Sequence, residues 1–426
     1  MKKKYIVACI AVVVALAAVS GSVLAYRALT KTTEVSKETS TISTKSSAVQ
    51  SSNSSQSSTA NTQSTANNPK STAQGNSTDP SVITVQAPDK NFKVKGLYLT
   101  GWTAGSDKNL QHYVDLAKKT EINTYVVDIK DDDGYVGYES QIPEVRSING
   151  WEKKYDVDKM IKTFHDNGIH VIGRIVCFKD TILSSQKPEL AIKDTRGGLY
   201  KTRNTDGKYI TWLNPYEKGS WSYLTDIAKE AIQKGFDEIQ FDYVRFANDG
   251  QPKYMDFSAY TQPKYEAIDG FLAYARQQLP GVVLSADIFG IVCESPADTE
   301  KIGQYLENIG KDIDYISPMA YPSHYALGQE VNGVTFSKPD FEPYKVVYNT
   351  LLKAKNRIAA VSDYQASVRP YLQDFTATWI GKGNYQKYGP EQVKEQIQAV
   401  YDAGYDQWIL WDANNKYDES AFAPKK

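Results

Sequence analysis

The sequence predicts an α/β protein built as a (β/α)8 TIM barrel, preceded by an N-terminal membrane segment and a disordered Ser/Thr-rich linker. Three observations predict it. Between about residues 91 and 417, eight apolar runs of strand length alternate with amphipathic stretches of helix length. The runs are continuously apolar, as in strands buried on both faces of a parallel sheet. No Gly-x-Gly-x-x-Gly follows the first run, which argues against a dinucleotide-binding fold, and eight consecutive units favour closure into a barrel over an open doubly wound sheet.

In chain order, three lysines within residues 1–4 precede an apolar run over residues 5–26, the layout of an export signal. Its length suffices to span a bilayer and favours an uncleaved anchor, with residues 1–30 as the membrane segment; Val23-Leu24-Ala25 is the site that cleavage would use. Residues 31–90 are Ser, Thr, Asn, Gln and Ala with almost no aromatics. Such a stretch cannot bury enough apolar surface to offset chain entropy and reads as a flexible spacer. The expected strands of the body are 95–101, 124–130, 170–178, 238–246, 282–290, 314–321, 368–375 and 407–412, and a tail follows over residues 418–426. Helices are expected at 108–119, 157–167, 220–234, 265–278, 302–309, 344–357 and 390–403, with Gly168, Gly235 and Gly404 marking helix ends.

Composition narrows the function. A net charge of -1 carries no basic stripe for nucleic acid. The 30 Tyr and 7 Trp suit the flat apolar faces of sugars, although Tyr also fills ordinary cores. The scarce histidines, His112, His165, His170 and His324, have no metal-ligand spacing. Cys177 and Cys293 sit in apolar contexts and read as small buried hydrophobes; a single long-range disulfide is the alternative.

Barrels of this kind build their active site at the C-terminal strand ends. There the sequence places Trp102, Asp128, Asp242, Asp287, Tyr321, Asp374 and Trp411. Asp128 follows Tyr125-Val126-Val127, and Asp242 follows Ile239-Gln240-Phe241, surroundings in which an unpaired charge is costly. Asp242 is the first catalytic candidate, with structural pairing as the alternative; Arg245, if the strand ends by Tyr243, could hold it ionised. Asp287 is the second. Asp128, Arg245 and Asp374 are expected to bind substrate, and Tyr321, Trp102 and Trp411 to stack on sugars or else to pack the rim. Asp131, Asp132 and Asp133 read as a solvated turn, with a Ca²⁺ site as the lesser alternative.

The segments Lys95-Gly96-Leu97-Tyr98-Leu99-Thr100, Glu238-Ile239-Gln240-Phe241-Asp242-Tyr243-Val244-Arg245-Phe246, Ser285-Ala286-Asp287-Ile288-Phe289-Gly290 and Ser317-Pro318-Met319-Ala320-Tyr321-Pro322 resemble a bacterial family of glycosyl hydrolase domains, grouped with the α-amylase-like barrels. The resemblance covers nearly the whole body and is densest around Asp242. It implies a TIM barrel and a carbohydrate substrate. By analogy with α-amylase-type barrels, Asp242 takes the place of the nucleophile and Asp287 that of the acid/base. Two departures stand out. Gln240 occupies the place of the amylase arginine, and Asp287 that of the amylase glutamate, the nearest Glu being Glu294.

The expected protein is therefore a glycoside hydrolase on an extracellular or cell-envelope polysaccharide, using two carboxylates. It is read as a monomer, attached to the membrane through its N-terminal segment, without cofactor, metal or nucleic-acid partner. Its rivals are a non-catalytic carbohydrate-binding barrel tethered to the envelope and, more weakly, a hydrolase using a cation at the Asp131–Asp133 turn.

Overall fold

A computed structural model describes residues 92–204 and 207–425; the expected membrane segment and linker lie outside the described residues. The body is a closed barrel of parallel strands: β1 (Lys95–Leu99), β2 (Thr124–Lys130), β3 (His170–Val176), β4 (Glu238–Asp242), β5 (Val283–Phe289), β6 (Tyr315–Met319), β7 (Tyr371–Gln373) and β8 (Trp408–Trp411). Each pairs with its successor, and β8 returns to β1 with Lys95 opposite Trp408. The seventh stave is broken. Ser367–Val368 pairs with β6 first, and β7 resumes after Pro370, which has no N–H for the ladder.

Between the strands run α1 (Asp107–Lys119), α2 (Val157–His165), α3 (Lys218–Gln233), α4 (Lys264–Gln278), α5 (Leu306–Ile309), α6 (Pro343–Ile358) and α7 (Pro390–Asp402). Their start signals are local: Ser106 and Asp156 cap α1 and α2 through their side chains, and proline opens α6 and α7. Gly173 on β3 faces this helical layer, where a Cβ would collide with Ile129 and Phe236. Phe422 of the tail stacks on Trp408, with ring centroids 6.3 Å apart, and the Lys425 amide bonds the Lys119 carbonyl, so the chain past Tyr417 packs on the barrel.

Strand alternation divides two environments. Outward residues such as Ile239, Phe241, Leu284 and Ala286 join the large core under the helices. Inward, Tyr98, Val126, Ile172, Tyr371 and Ile409 form a separate cluster. Polar groups fill much of the rest. On β4, Glu238 pairs with Arg369 and accepts from Ser285 Oγ at 2.6 Å, while Gln240 accepts from Tyr371 Oη at 2.7 Å. Asp242 ends that row at the C-terminal face. Excursions from this face include a helix Thr181–Gln186 and short antiparallel pairs, Thr202–Arg203 with Tyr209–Ile210 and Gln329–Val331 with Val334–Phe336.

Candidate active site

Arg174 lies at the centre of the charged groups. Inward on β3, its Nε and Nη2 donate to Asp242 Oδ2 at 2.9 and 2.6 Å, and its Nη1 donates to Asp128 Oδ1 at 2.6 Å. Tyr98 Oη donates to the other Asp128 oxygen at 2.6 Å, and the guanidinium lies 5.5 Å from the Tyr98 ring centre. Tyr98, Asp128, Arg174 and Asp242 are all buried. Burial pushes the Asp128 carboxyl up to about 6, although Arg174 and the Tyr98 hydroxyl pull the other way.

The backbone turns sharply as β4 ends. Tyr243 adopts φ +48°, a left-handed conformation that costs a non-glycine residue energy. The turn brings the Tyr243 N–H to Asp242 Oδ1 at 2.6 Å. Both oxygens of Asp242 thus accept from fixed donors. The Tyr243 ring lies beside two cations, Lys179 Nζ at 4.7 Å and the Arg245 guanidinium at 5.2 Å.

Asp287 stands on the neighbouring strand at the same level, because Phe241 pairs with Ala286 one position earlier. It is 2% exposed, and its buried Oδ1 has no hydrogen-bond partner. Burial first, and then the charge of Asp242, push its carboxyl well above the ordinary range. Two buried carboxyl groups thus stand side by side, Asp242 with donors on both oxygens and Asp287 with an oxygen that has none.

An aromatic wall stands at the ends of β6, β7 and β8. Tyr321 lies 6.2 Å from Trp411 and 5.6 Å from Phe375, and Trp411 stacks on Tyr98 at 6.0 Å. Charged and aromatic groups thus meet at the C-terminal mouth of the barrel, the face at which such barrels carry their active sites.

The model of a family described as "Putative glycosyl hydrolase domain" matches residues 96–417. The chain belongs to this family. No curated protein matches it. Among solved structures, a hypothetical protein from Ruminiclostridium thermocellum ATCC 27405 is 67% identical, over 45% of this chain and 96% of that one, at a TM-score of 0.42. The PgaB (BpsB) glycoside hydrolase domain from Bordetella bronchiseptica is 13% identical, over 78% and 99% of the two chains, at a TM-score of 0.55. A beta-galactosidase from the psychrophilic Marinomonas ef1 is 11% identical, over 78% and 56%, at 0.52. The last two are likenesses of fold.

Within this glycosyl hydrolase domain, the structure joins Asp128 and Asp242 through Arg174, sets Asp287 beside Asp242 and groups Tyr321 with Trp411, while Arg245, Asp374 and Trp102 lie just past the ends of β4, β7 and β1 with other partners. Arg245 does not hold Asp242. Beyond the Tyr243 turn, its Nη1 bonds the Phe246 carbonyl and Asn248 Oδ1, both at 2.9 Å, and its guanidinium packs over Trp212 and Phe289. Arg174 holds Asp242 instead, and it is also the registered partner of Gln240. Asp374 has Asp412 and Asp418 as its charged neighbours; burial, followed by their repulsion, pushes it up to about 7. Trp102 is 59% exposed, with Lys154 Nζ 5.7 Å from its ring. Glu294 accepts from the Asn332 amide. In the acidic turn, Asp131 pairs with Lys154 and also accepts from the Asp133 amide at 3.1 Å, while Asp132 lies 3.4 Å from Lys179. Cys177 and Cys293 are both buried free thiols.

Proposed function

We propose that this domain is a retaining glycosidase in which Asp242 is the nucleophile and Asp287 the acid/base. The observation that carries the reading is the contrast between two neighbouring buried carboxyl groups: Asp242 accepts from Arg174 and the Tyr243 amide on both oxygens, whereas Asp287 has an unpartnered oxygen and is pushed up by burial and by the Asp242 charge. Adjacent parallel strands lie about 4.8 Å apart. Side chains at one level on two such strands suit the carboxyl spacing of about 5–5.5 Å used by retaining enzymes better than the wider inverting one. In the first step an Asp242 oxygen bonds the anomeric carbon, the glycosidic C–O bond breaks, and the leaving oxygen takes the Asp287 proton. In the second, the Asp287 carboxylate takes a proton from water, the water oxygen bonds the anomeric carbon, and Asp242 leaves.

An extracellular or cell-envelope polysaccharide is the proposed substrate. Support comes from the apolar run over residues 5–26 and the Ser/Thr-rich spacer after it, which would hold the domain outside the membrane. The acid/base role is tested by leaving-group dependence. In kcat/KM, which reports the first step, Asp287→Asn should lose about 10²–10⁴-fold on the polysaccharide but much less on a 4-nitrophenyl glycoside of the same sugar, whose phenolate departs without a proton. Equal losses on both substrates contradict the assignment.

A further inference from the structure

The broken seventh stave leaves an opening at the end of the barrel away from the carboxylates. The Ser367 and Arg369 amides bond the Asp314 and Ile316 carbonyls on the β6 side, both at 2.9 Å. The Val368 N–H and C=O between them therefore point the other way, toward the chain that enters β8. That chain does not meet them. Pro370 has no N–H to offer, and β8 first joins the stave where the Ile409 amide bonds the Pro370 carbonyl at 3.0 Å. Among the described residues, no backbone hydrogen bond joins Val368 to Tyr405 or Gln407. A cavity of about 530 Å³ lies there, lined by Ile358, Ala366, Val368 and Tyr405 and by Lys93 and Lys355. Both lysines are already engaged: Lys93 Nζ lies 3.2 Å from Asp406, and Lys355 Nζ bonds the Ala403 carbonyl at 3.0 Å. What remains is an apolar slot beside an unpaired strand edge, the kind of site that takes an added strand.

A strand that fits is present in this chain. The described residues begin at Phe92, and Lys93 itself lines the cavity, so the preceding chain arrives at the slot. Residues 31–90 hold six Val, Ile, Leu or Met residues, and three of the six are Val82, Ile83 and Val85. With Thr84 they form the one run of four β-branched residues in that stretch, which is strand chemistry inside a polar spacer. Val85 stands eight positions before Lys93, a length that can span roughly 26 Å. We infer that Ile83-Thr84-Val85 docks along this slot as an added strand, its backbone pairing with the free edge at Val368. Strand alternation then turns Ile83 and Val85 onto Ala366, Ile358 and Tyr405, and Thr84 outward. The docking does not depend on the glycosidase reading. It fixes the incoming chain to the end of the barrel opposite Asp242 and Asp287.

The test is hydrogen exchange on the full-length chain, followed by mass spectrometry. Corrected for intrinsic rates, the amides of residues 83–86 should exchange at least about tenfold more slowly than those of residues 50–70, and the Val368 amide should be protected with them. Ile83→Asp together with Val85→Asp should abolish both protections and lower the melting temperature by a few degrees. Thr84→Asp, on the outward face, should keep both. Exchange at residues 83–86 as fast as at residues 50–70 overturns the docking. So does protection that survives the double Asp change, or protection lost equally in Thr84→Asp. Protection that appears only as protein concentration rises assigns the strand to a second copy of the chain and overturns pairing within one molecule.

Discussion

Arg174 donates to two buried carboxylates that lie on strands either side of it, so its removal strands both. Arg174→Met should cost about 3–5 kcal/mol of stability, as breaking a buried pair does. Asp242 would also lose the two donors that fix its position, so turnover of the folded variant should fall at least about tenfold. Arg174→Lys keeps a charge and should restore part of the stability, but not the bidentate geometry. Unchanged turnover in folded Arg174→Met would contradict the role given to Arg174. Asp242 was legible in the sequence because a carboxylate among Ile239, Phe241 and Val244 must have a partner. Its partner was not legible. Arg174 lies 68 residues away in the chain, inside a run that reads as ordinary buried strand, and only register across β3 and β4 brings the two together. Arg245 was the near neighbour in sequence, but the left-handed turn at Tyr243 sends it to Trp212 instead. Nothing local in a tyrosine announces that conformation.

At the scale of the element, the same alternation that builds the active face builds a second ion pair at the start of β4. Arg369 holds the Glu238 carboxyl down at about 2 although burial alone would raise it. This contribution is fully present above the unfolded value near 4.5 and is lost as pH falls through about 2. Arg369→Met should cost a similar amount of stability to the Arg174 change, yet leave turnover of the folded protein in place, since Glu238 and Asp242 lie at opposite ends of the strand. Comparing turnover of folded Arg369→Met and Arg174→Met therefore separates a structural pair from one that positions Asp242; an equal loss in the former would erase that distinction. The strands were readable because burial on both faces leaves long apolar runs, and all eight expected runs contain observed strand. The seventh was the least well read: 368–375 was expected whole, but Pro370 divides it. The short antiparallel pairs in the excursions escaped notice because strands of two or three residues leave no period to read.

For the whole molecule, several buried carboxyl groups make the folded chain take up protons that the unfolded chain has already released. Asp128 is pushed up to about 6, Asp269 and Asp374 to about 7, each chiefly by burial, and burial also raises Asp287 well above the ordinary range. The unfolded groups titrate near 3.8, so between that pH and about 7 the folded state binds more protons, and stability falls as pH rises. The melting temperature should be several degrees higher at pH 5 than at pH 8; a flat or rising course over that interval contradicts the charge states assigned here. The upward shift of Asp287 matters because the proposed chemistry needs a carboxyl that can donate a proton. The most direct test of that chemistry is release of reducing ends from purified cell-wall and capsule glycans by the unmutated protein and by Asp242→Asn, with both melting curves measured alongside. The account predicts release by the unmutated protein and a loss of at least about a thousandfold in the variant. It predicts only a modest fall in melting temperature, because Arg174 keeps Asp128 as a partner. A folded Asp242→Asn protein that releases reducing ends at the unmutated rate would contradict it.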